Sequence, residues 1–273
     1  MNISSEEYYF DIGANLTHSS FDNDLSIVIQ NAHSAGISRI IVTGTSIVES
    51  VRALELSKSY PKYLFATAGV PPHNAKEFDE HTNSALRDLA KNDEIVAIGE
   101  CGLDFHRNFS TKNEQKHAFL SQLELATEIN LPVFLHQREA HKELVSLLKP
   151  IRNQLCGGVA HCFTGGKREL HTYLDMDLYI GITGWLCDDS RGHELRDAVS
   201  DIPLERLLLE TDAPYLLPKD LPQKPTGRRN EPRFLPHLLE RLSKIMSKPV
   251  TDIADASRIN AEQLFNLKTS ETS

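Results

Sequence analysis

The sequence predicts an α/β fold, a (β/α)8 TIM barrel formed by residues 1–273 as a single domain. Three observations point there. Eight short apolar runs recur along the chain, intervening stretches are long enough for crossover helices, and four runs end in a metal-ligand-type residue. Near-continuous apolar strands alternating with helices describe a parallel sheet covered on both faces. Eight repeats favour closure over an open, doubly wound sheet, which stays as the alternative. A length of 273 residues suits one barrel of about 250 residues, or two smaller domains.

The strands are expected at Tyr8 to Leu16, Arg39 to Thr45, Leu64 to Val70, Glu94 to Glu100, Pro132 to Arg138, Gly157 to Thr164, Leu178 to Gly184 and Leu207 to Asp212. Each is rich in apolar and β-branched residues and bounded by polar or glycine-containing segments. Helical periodicity appears between them: Leu25, Val28, Ile29 and Ala32 fall on one stripe, as do Phe119, Leu123, Ala126 and Ile129. After the last strand, prolines at 214, 218, 222, 225, 232 and 236 rule out an ordinary helix and predict a long functional loop. Helices at Leu235 to Met246 and Val250 to Leu267 complete the chain. No low-complexity tract, solenoid repeat or linker divides it.

Composition narrows the function classes. Hydrophobic residues at 40% and charged residues at 25% are ordinary globular values, and no apolar run approaches the roughly 20 residues of a membrane span. The N-terminal residues Met1 to Glu7 carry no secretory pattern, so a cytoplasmic location without membrane association is expected. Cys101, Cys156, Cys162 and Cys187 form no CxxC pair, which predicts reduced thiols and excludes zinc-finger chemistry. A net charge of −9 repels polyanions globally, so a nucleic-acid partner requires a local basic surface and a metal.

The four strand-end residues are Glu100, His136, His161 and Asp212. Carboxylates and imidazoles at the carboxyl ends of successive barrel strands sit where such folds build their sites. A buried carboxylate costs several kcal/mol unless a cation or donors meet it. Two carboxylates and two imidazoles form a mixed O/N set suited to a divalent ion in hydrolysis, and these four are the expected metal ligands, with Asp212 and Glu100 catalytic. The bland alternatives are a hydrogen-bonded core histidine and a structural carboxylate. His73, Asp104, Arg107, Arg228 and Arg229 are the candidate substrate-binding residues. His73 follows the third strand, Asp104 and Arg107 lie just beyond Glu100, and the two other arginines belong to a cluster with Lys219, Lys224 and Arg233 in the proline-rich loop. Arginine can pair with phosphate bidentately, although a loop salt bridge or a solvated face would use the same residues. Asp11 is equally readable as structural acceptor or site residue.

Gly99-Glu100-Cys101-Gly102-Leu103-Asp104-Phe105, Leu135-His136, His161-Cys162-Phe163-Thr164-Gly165, Tyr179 to Gly184 and Glu210-Thr211-Asp212-Ala213-Pro214-Tyr215 closely resemble the TatD family of metal-dependent deoxyribonucleases, from Phe10 to Phe265. Phe10-Asp11-Ile12-Gly13-Ala14-Asn15-Leu16, Asn230-Glu231-Pro232 and Gly184-Trp185-Leu186-Cys187-Asp188 resemble its exonuclease branch. The resemblance implies a barrel of the metal-dependent, amidohydrolase-like type and metal roles for Glu100, His136, His161 and Asp212. It also implies 3′→5′ exonuclease action on single-stranded DNA and RNA, linked to repair of oxidative DNA damage. A monomer is expected.

Two departures matter. Most relatives carry His-x-His at the end of the first strand, where this chain has Gly13 and Asn15, and the first histidine of the loop motif ending at His73 is replaced by Pro71. The oxygen-richer remainder favours Mg2+, with Mn2+ or Zn2+ as alternatives, over a tight zinc pair. The competing readings are a metal-dependent amidohydrolase or phosphotriesterase-like hydrolase of a small substrate and a non-catalytic nucleic-acid-binding barrel.

Overall fold

The structure, a computed structural model, describes residues 9–267. In chain order it comprises β1 (Tyr9–Ala14), α1 (Leu25–Ser34), β2 (Ile37–Val42), α2 (Ile47–Ser59), β3 (Leu64–Ala68), α3 (Glu80–Leu89), β4 (Ile95–Asp104), α4 (Lys112–Ile129), β5 (Val133–Arg138), α5 (His141–Leu148), β6 (Gly158–Ala160), α6 (Lys167–Asp175), β7 (Tyr179–Ile182), α7 (His193–Ala198), β8 (Leu207–Leu209), α8 (Leu235–Met246) and α9 (Val250–Leu264). The strands follow one another in the sheet in chain order, and the pairs β3–β4, β4–β5, β5–β6 and β7–β8 are parallel. This is the (β/α)8 alternation that the apolar runs predict. Tyr8, the expected start of the first strand, lies outside the described residues.

Local chemistry explains the helix boundaries. Ser46 caps α2 by accepting from the Glu49 amide, and reciprocal capping boxes start α3 (Asp79 with Thr82) and α4 (Thr111 with Glu114). Asn130, at φ 56°, ends α4 in the left-handed conformation that asparagine tolerates. The predicted stripes are buried at Val28, Ile29 and Ala32 on α1 and at Phe119, Leu123 and Ala126 on α4, while Leu25 and Ile129 at their ends are half-buried.

The described residues divide into two compact units. In the first (residues 9–41, 162–171 and 180–267), α9 packs on β1 and β8. There the Asn260 amide donates to the Leu204 and Leu207 carbonyls at 2.7 and 2.9 Å. In the second (residues 42–161 and 172–179), α2 covers β3 and α4 covers β4. Gln122 of α4, fully buried, bonds both the amide and the carbonyl of Val70.

Most strand ends shift by a few residues from expectation, and those near the site matter most. β4 does not stop at Glu100 but runs on to Asp104, with all ten residues buried. β6 ends at Ala160 rather than Thr164, so His161 lies beyond it, and Asp212 lies beyond the end of β8. The last helix ends at Leu264 rather than Leu267. The proline-rich segment holds only 3-10 turns, Thr226–Arg228 and Pro232–Phe234, before α8 begins.

Candidate metal centre

In the second unit, three successive strands deliver one side chain each to a common point. Glu100 comes from β4, His136 from β5, and His161 directly follows β6, its amide bonded to the Leu135 carbonyl. Glu100 Oε1 lies 2.6 Å from His136 Nδ1 and 3.2 Å from His161 Nε2. Glu100 and His161 are buried and His136 is half-buried.

Glycine makes this convergence possible. A Cβ at Gly99 would fall 2.4 Å from the Phe134 carbonyl oxygen, and one at Gly102 would fall 2.0 Å from that of His136. Their φ angles, 144° and 146°, are ones that other residues rarely adopt. β4 thus runs close against β5 on both sides of Glu100, with a register shift between Gly99 and Cys101.

A second carboxylate stands behind the first. Asp104, fully buried, places Oδ2 2.9 Å from His73 Nε2 and 3.5 Å from His136 Nε2. Its Oδ1 accepts the amides of His106 and Arg107 at 2.9 and 2.8 Å. Gln115 of α4 grips the same residue, taking its amide and donating to its carbonyl. His73 itself sits in the 3-10 turn Pro72–Glu77. Both Asp104 oxygens, expected from sequence to face substrate, are engaged within the protein.

Electrostatics follow from this packing. Burial by itself would raise the Glu100 carboxyl; the charge and hydrogen bond of His136, then those of His161, outweigh it and hold the group well below the usual range. Burial disfavours the His136 cation, but Glu100 and Asp104 raise its pKa nonetheless. Asp104, penalised first by burial, is held below the ordinary range by His136, His73 and the Arg107 amide.

The residues fit a divalent cation. His136 Nε2 is buried with no hydrogen-bond partner, and ligand atoms of Glu100, His136 and His161 all lie within 4.8 Å of one another. His73, Asp104 and His136 form an overlapping group. A carboxylate with two imidazoles is a first-row-metal or Mg2+ donor set.

In the first unit, Asp212 follows β8 at φ 53°, its amide bonded to the Gly13 carbonyl. Asn15 donates to Asp212 Oδ1 at 3.0 Å and to the Ala213 carbonyl at 3.3 Å. Asn15, which stands where most relatives carry a histidine, thus anchors the Asp212 segment. Asp11, fully buried, accepts from the Thr211 amide at 2.9 Å, its hydroxyl at 2.5 Å and the Gly13 amide at 3.2 Å. Asn230 ties the Thr211 and Tyr215 carbonyls together. Sequence reasoning missed Gln115, since a buried amide that serves backbone groups leaves no spacing signal, and it found Asn230 only as part of the Asn230-Glu231-Pro232 motif.

The predicted basic surface is smaller than its residue count. Arg229 donates to Asp24 through two bonds of 2.9 and 2.6 Å and to Glu231 at 3.0 Å, and lies over the Phe21 ring. Lys219 pairs with Asp188 and Arg233 with Glu231. Arg107 and Arg228 are exposed.

Carboxylate and imidazole side chains gathered on consecutive strands of a (β/α)8 frame define, as a class, the hydrolases that use such barrels. The family model "TatD related DNase" matches residues 10–266, and the chain belongs to that family of nuclease-type hydrolases. It is 50% identical over 258 residues, 94% of this chain and 100% of the relative, to the 3′-5′ ssDNA/RNA exonuclease TatD of Erwinia tasmaniensis. The Salmonella typhimurium protein of the same name is 48% identical over 94% of this chain and 99% of its own. A TatD-family hydrolase from Entamoeba histolytica superposes with a TM-score of 0.87 at 30% identity, covering 96% of this chain and 99% of that one. The Escherichia coli TatD homolog YJJV gives 0.87 at 28% identity over the same shares. Among the described residues no helix is long and apolar enough to cross a membrane.

Proposed function

We propose that this protein is a metal-dependent 3′→5′ exonuclease that hydrolyses phosphodiester bonds of single-stranded DNA and RNA, acting in the cytoplasm as a single-domain monomer in the repair of oxidised DNA. The observation that carries the reading is the buried Glu100 carboxylate set between two imidazoles, in a chain half identical to curated exonucleases. Glu100, His136 and His161 would hold the ion. Asp212 joins them on its Glu210-Thr211-Asp212-Ala213-Pro214-Tyr215 motif. The donor set and the absence of imidazole at Gly13 and Asn15 favour Mg2+, then Mn2+ or Zn2+. Such an ion supplies Lewis-acid polarisation of a phosphoryl oxygen and a more acidic water.

The chain's own residues do the rest. Asp212 accepts the proton of the attacking water, its carboxylate steadied by the Asn15 amide. Asp104 fixes the orientations of His73 and His136. Arg107 and Arg228 neutralise phosphates, a duty that Arg229 cannot share while Asp24 and Glu231 hold it. Two aromatic rings stand in solvent: Phe109, 62% exposed and edge-on to His73, and Tyr215, 51% exposed beside His18. Phe109, beside His73 in the unit that holds Glu100, offers a stacking face to an unpaired base, and Tyr215, three residues after Asp212, offers another, which fits a single-strand preference.

Incubating the protein and Mg2+ with 5′-labelled single-stranded oligonucleotides tests the reading. A ladder shortening one nucleotide at a time from the 3′ end is expected. Hydrolysis of small esters alone, or binding without cleavage, overturns it.

A further inference from the structure

A grouping of mixed ligand chemistry in the first unit shares no residue with the Glu100 cluster. Cys187 ends the 3-10 turn Gly184–Cys187 after β7, Asp220 lies in the proline-rich loop after β8, and His237 stands in the first turn of α8. One potential ligand atom from each lies within 4.8 Å of the others. His237 Nε2 is 2.7 Å from Asp220 Oδ1, while Asp220 Oδ2 faces Arg241 Nε at 3.4 Å. Cys187 is 1% exposed, whereas the Asp220 and His237 side chains keep 28% and 22%.

We propose that Cys187, Asp220 and His237 form a second metal site, of zinc class, in which Sγ, Oδ1 and Nε2 bind the ion and a water completes the tetrahedron. The donor set is the first reason. Sulfur, nitrogen and oxygen together suit Zn2+ or Co2+ and are poor for Mg2+, so this site excludes the hard ion that the Glu100 cluster accepts. The geometry at Asp220 is the second: Oδ1 points to the histidine at 2.7 Å, while Oδ2 faces the Arg241 guanidinium in an ion pair at 3.4 Å, so one oxygen is directed to the site and the other away from the imidazole. The two half-exposed ligands leave a solvent-facing side for water and for entry of the ion. Bound there, the ion clips the proline-rich loop and the segment after β7 to α8.

The charge balance is explicit. Burial, then the Asp220 carboxylate, raises the Cys187 thiol, with Arg241 and Arg196 opposing, so the metal-free thiol keeps its proton. Coordination exchanges that proton for the ion: Cys–SH + M2+ gives Cys–S–M+ and H+, and apparent affinity falls as pH falls. Without an ion the Asp220 carboxylate is hydrogen-bonded to the His237 imidazole at 2.7 Å, a state distinct from the metal-bound one. A titration separates them.

The full chain, stripped with chelator, is titrated with Co2+ at neutral pH while thiolate-to-cobalt charge-transfer absorption is followed in the near ultraviolet. The expected result is a thiolate band that saturates with one Cys187-dependent ion per chain, over and above any Co2+ held by the Glu100 cluster, displaced by Zn2+, lost in Cys187→Ser and retained in Cys162→Ser, whose residue directly follows His161 in the chain. His237→Ala should weaken Co2+ at least about tenfold. No band at saturating Co2+, or a band undiminished in Cys187→Ser, overturns the proposal. Should Cys187→Ser fail to fold by circular dichroism, His237→Ala decides: unchanged affinity is equally fatal.

Discussion

Replacing Asp104 by asparagine isolates the carboxylate behind the candidate centre at almost constant volume. The substituted amide keeps an oxygen for the His106 and Arg107 amides, which lie 2.9 and 2.8 Å from Oδ1 of the native carboxylate. The loss falls on the other oxygen, 2.9 Å from His73 and 3.5 Å from His136. The longer distance is an electrostatic contact rather than a full hydrogen bond, in keeping with the unpartnered His136 Nε2. One charge-assisted bond is therefore removed, worth about 1.5–3 kcal/mol. At about 2–4 °C per kcal/mol for a chain of this size, Tm should drop by roughly 3–12 °C. Freed histidines should also cost about 10–100-fold in Mn2+ affinity, measured by calorimetry. Asp104→Asn with unchanged Tm and unchanged Mn2+ affinity would refute the orienting role of Asp104.

Alanine at Glu100, His136, His161 or Asp212 should each lower kcat by at least about two orders of magnitude with circular dichroism unchanged; near-normal turnover in any two would dismantle the shared-site assignment. Asp11, lifted from 3.8 to about 7 by burial first, with Glu210 adding and the Thr211 and Gly13 hydrogen bonds opposing, contributes stability that is complete below about pH 4 and is lost as pH rises through 7. Chemical denaturation from pH 4 to 8 should thus show Asp11→Asn losing less stability than the parent, by up to about 4 kcal/mol, and parallel profiles would contradict this. Arg228→Ala should raise KM for oligonucleotides and reduce the slope of log K against log salt by about 0.7, while Arg229→Ala should leave that slope unchanged and lower Tm; the reverse pattern would reassign the two arginines.

The alternation of apolar runs with helical stripes made the frame readable, because burial on both faces of a parallel strand writes itself into composition. That Glu100, His136 and His161 come together was legible for the opposite reason: a polar group ending an apolar run demands a partner. Strand ends were less so. β4 outruns Glu100 because Gly99 and Gly102 permit close pairing with β5, and a glycine reads as punctuation until its neighbour is known. Arg229 looked like a phosphate ligand since Asp24 lies 205 residues away in sequence. Cys187 was invisible as a ligand, since spacing rules need two cysteines and here the partners are an aspartate and a histidine from other segments.

Among the described residues, the internal pairing of Lys219, Arg229 and Arg233 leaves the loop after β8 with Lys224 and Arg228 as its uncommitted cations. In a chain of net charge −9, such thrift sets how long a polyanion stays. A grip on about two or three phosphates releases a similar number of counterions, so the strand is held briefly and let go readily. On the proposed reading, the protein trims an end and departs, and how far a strand is shortened depends on how often the two meet rather than on how tightly they hold.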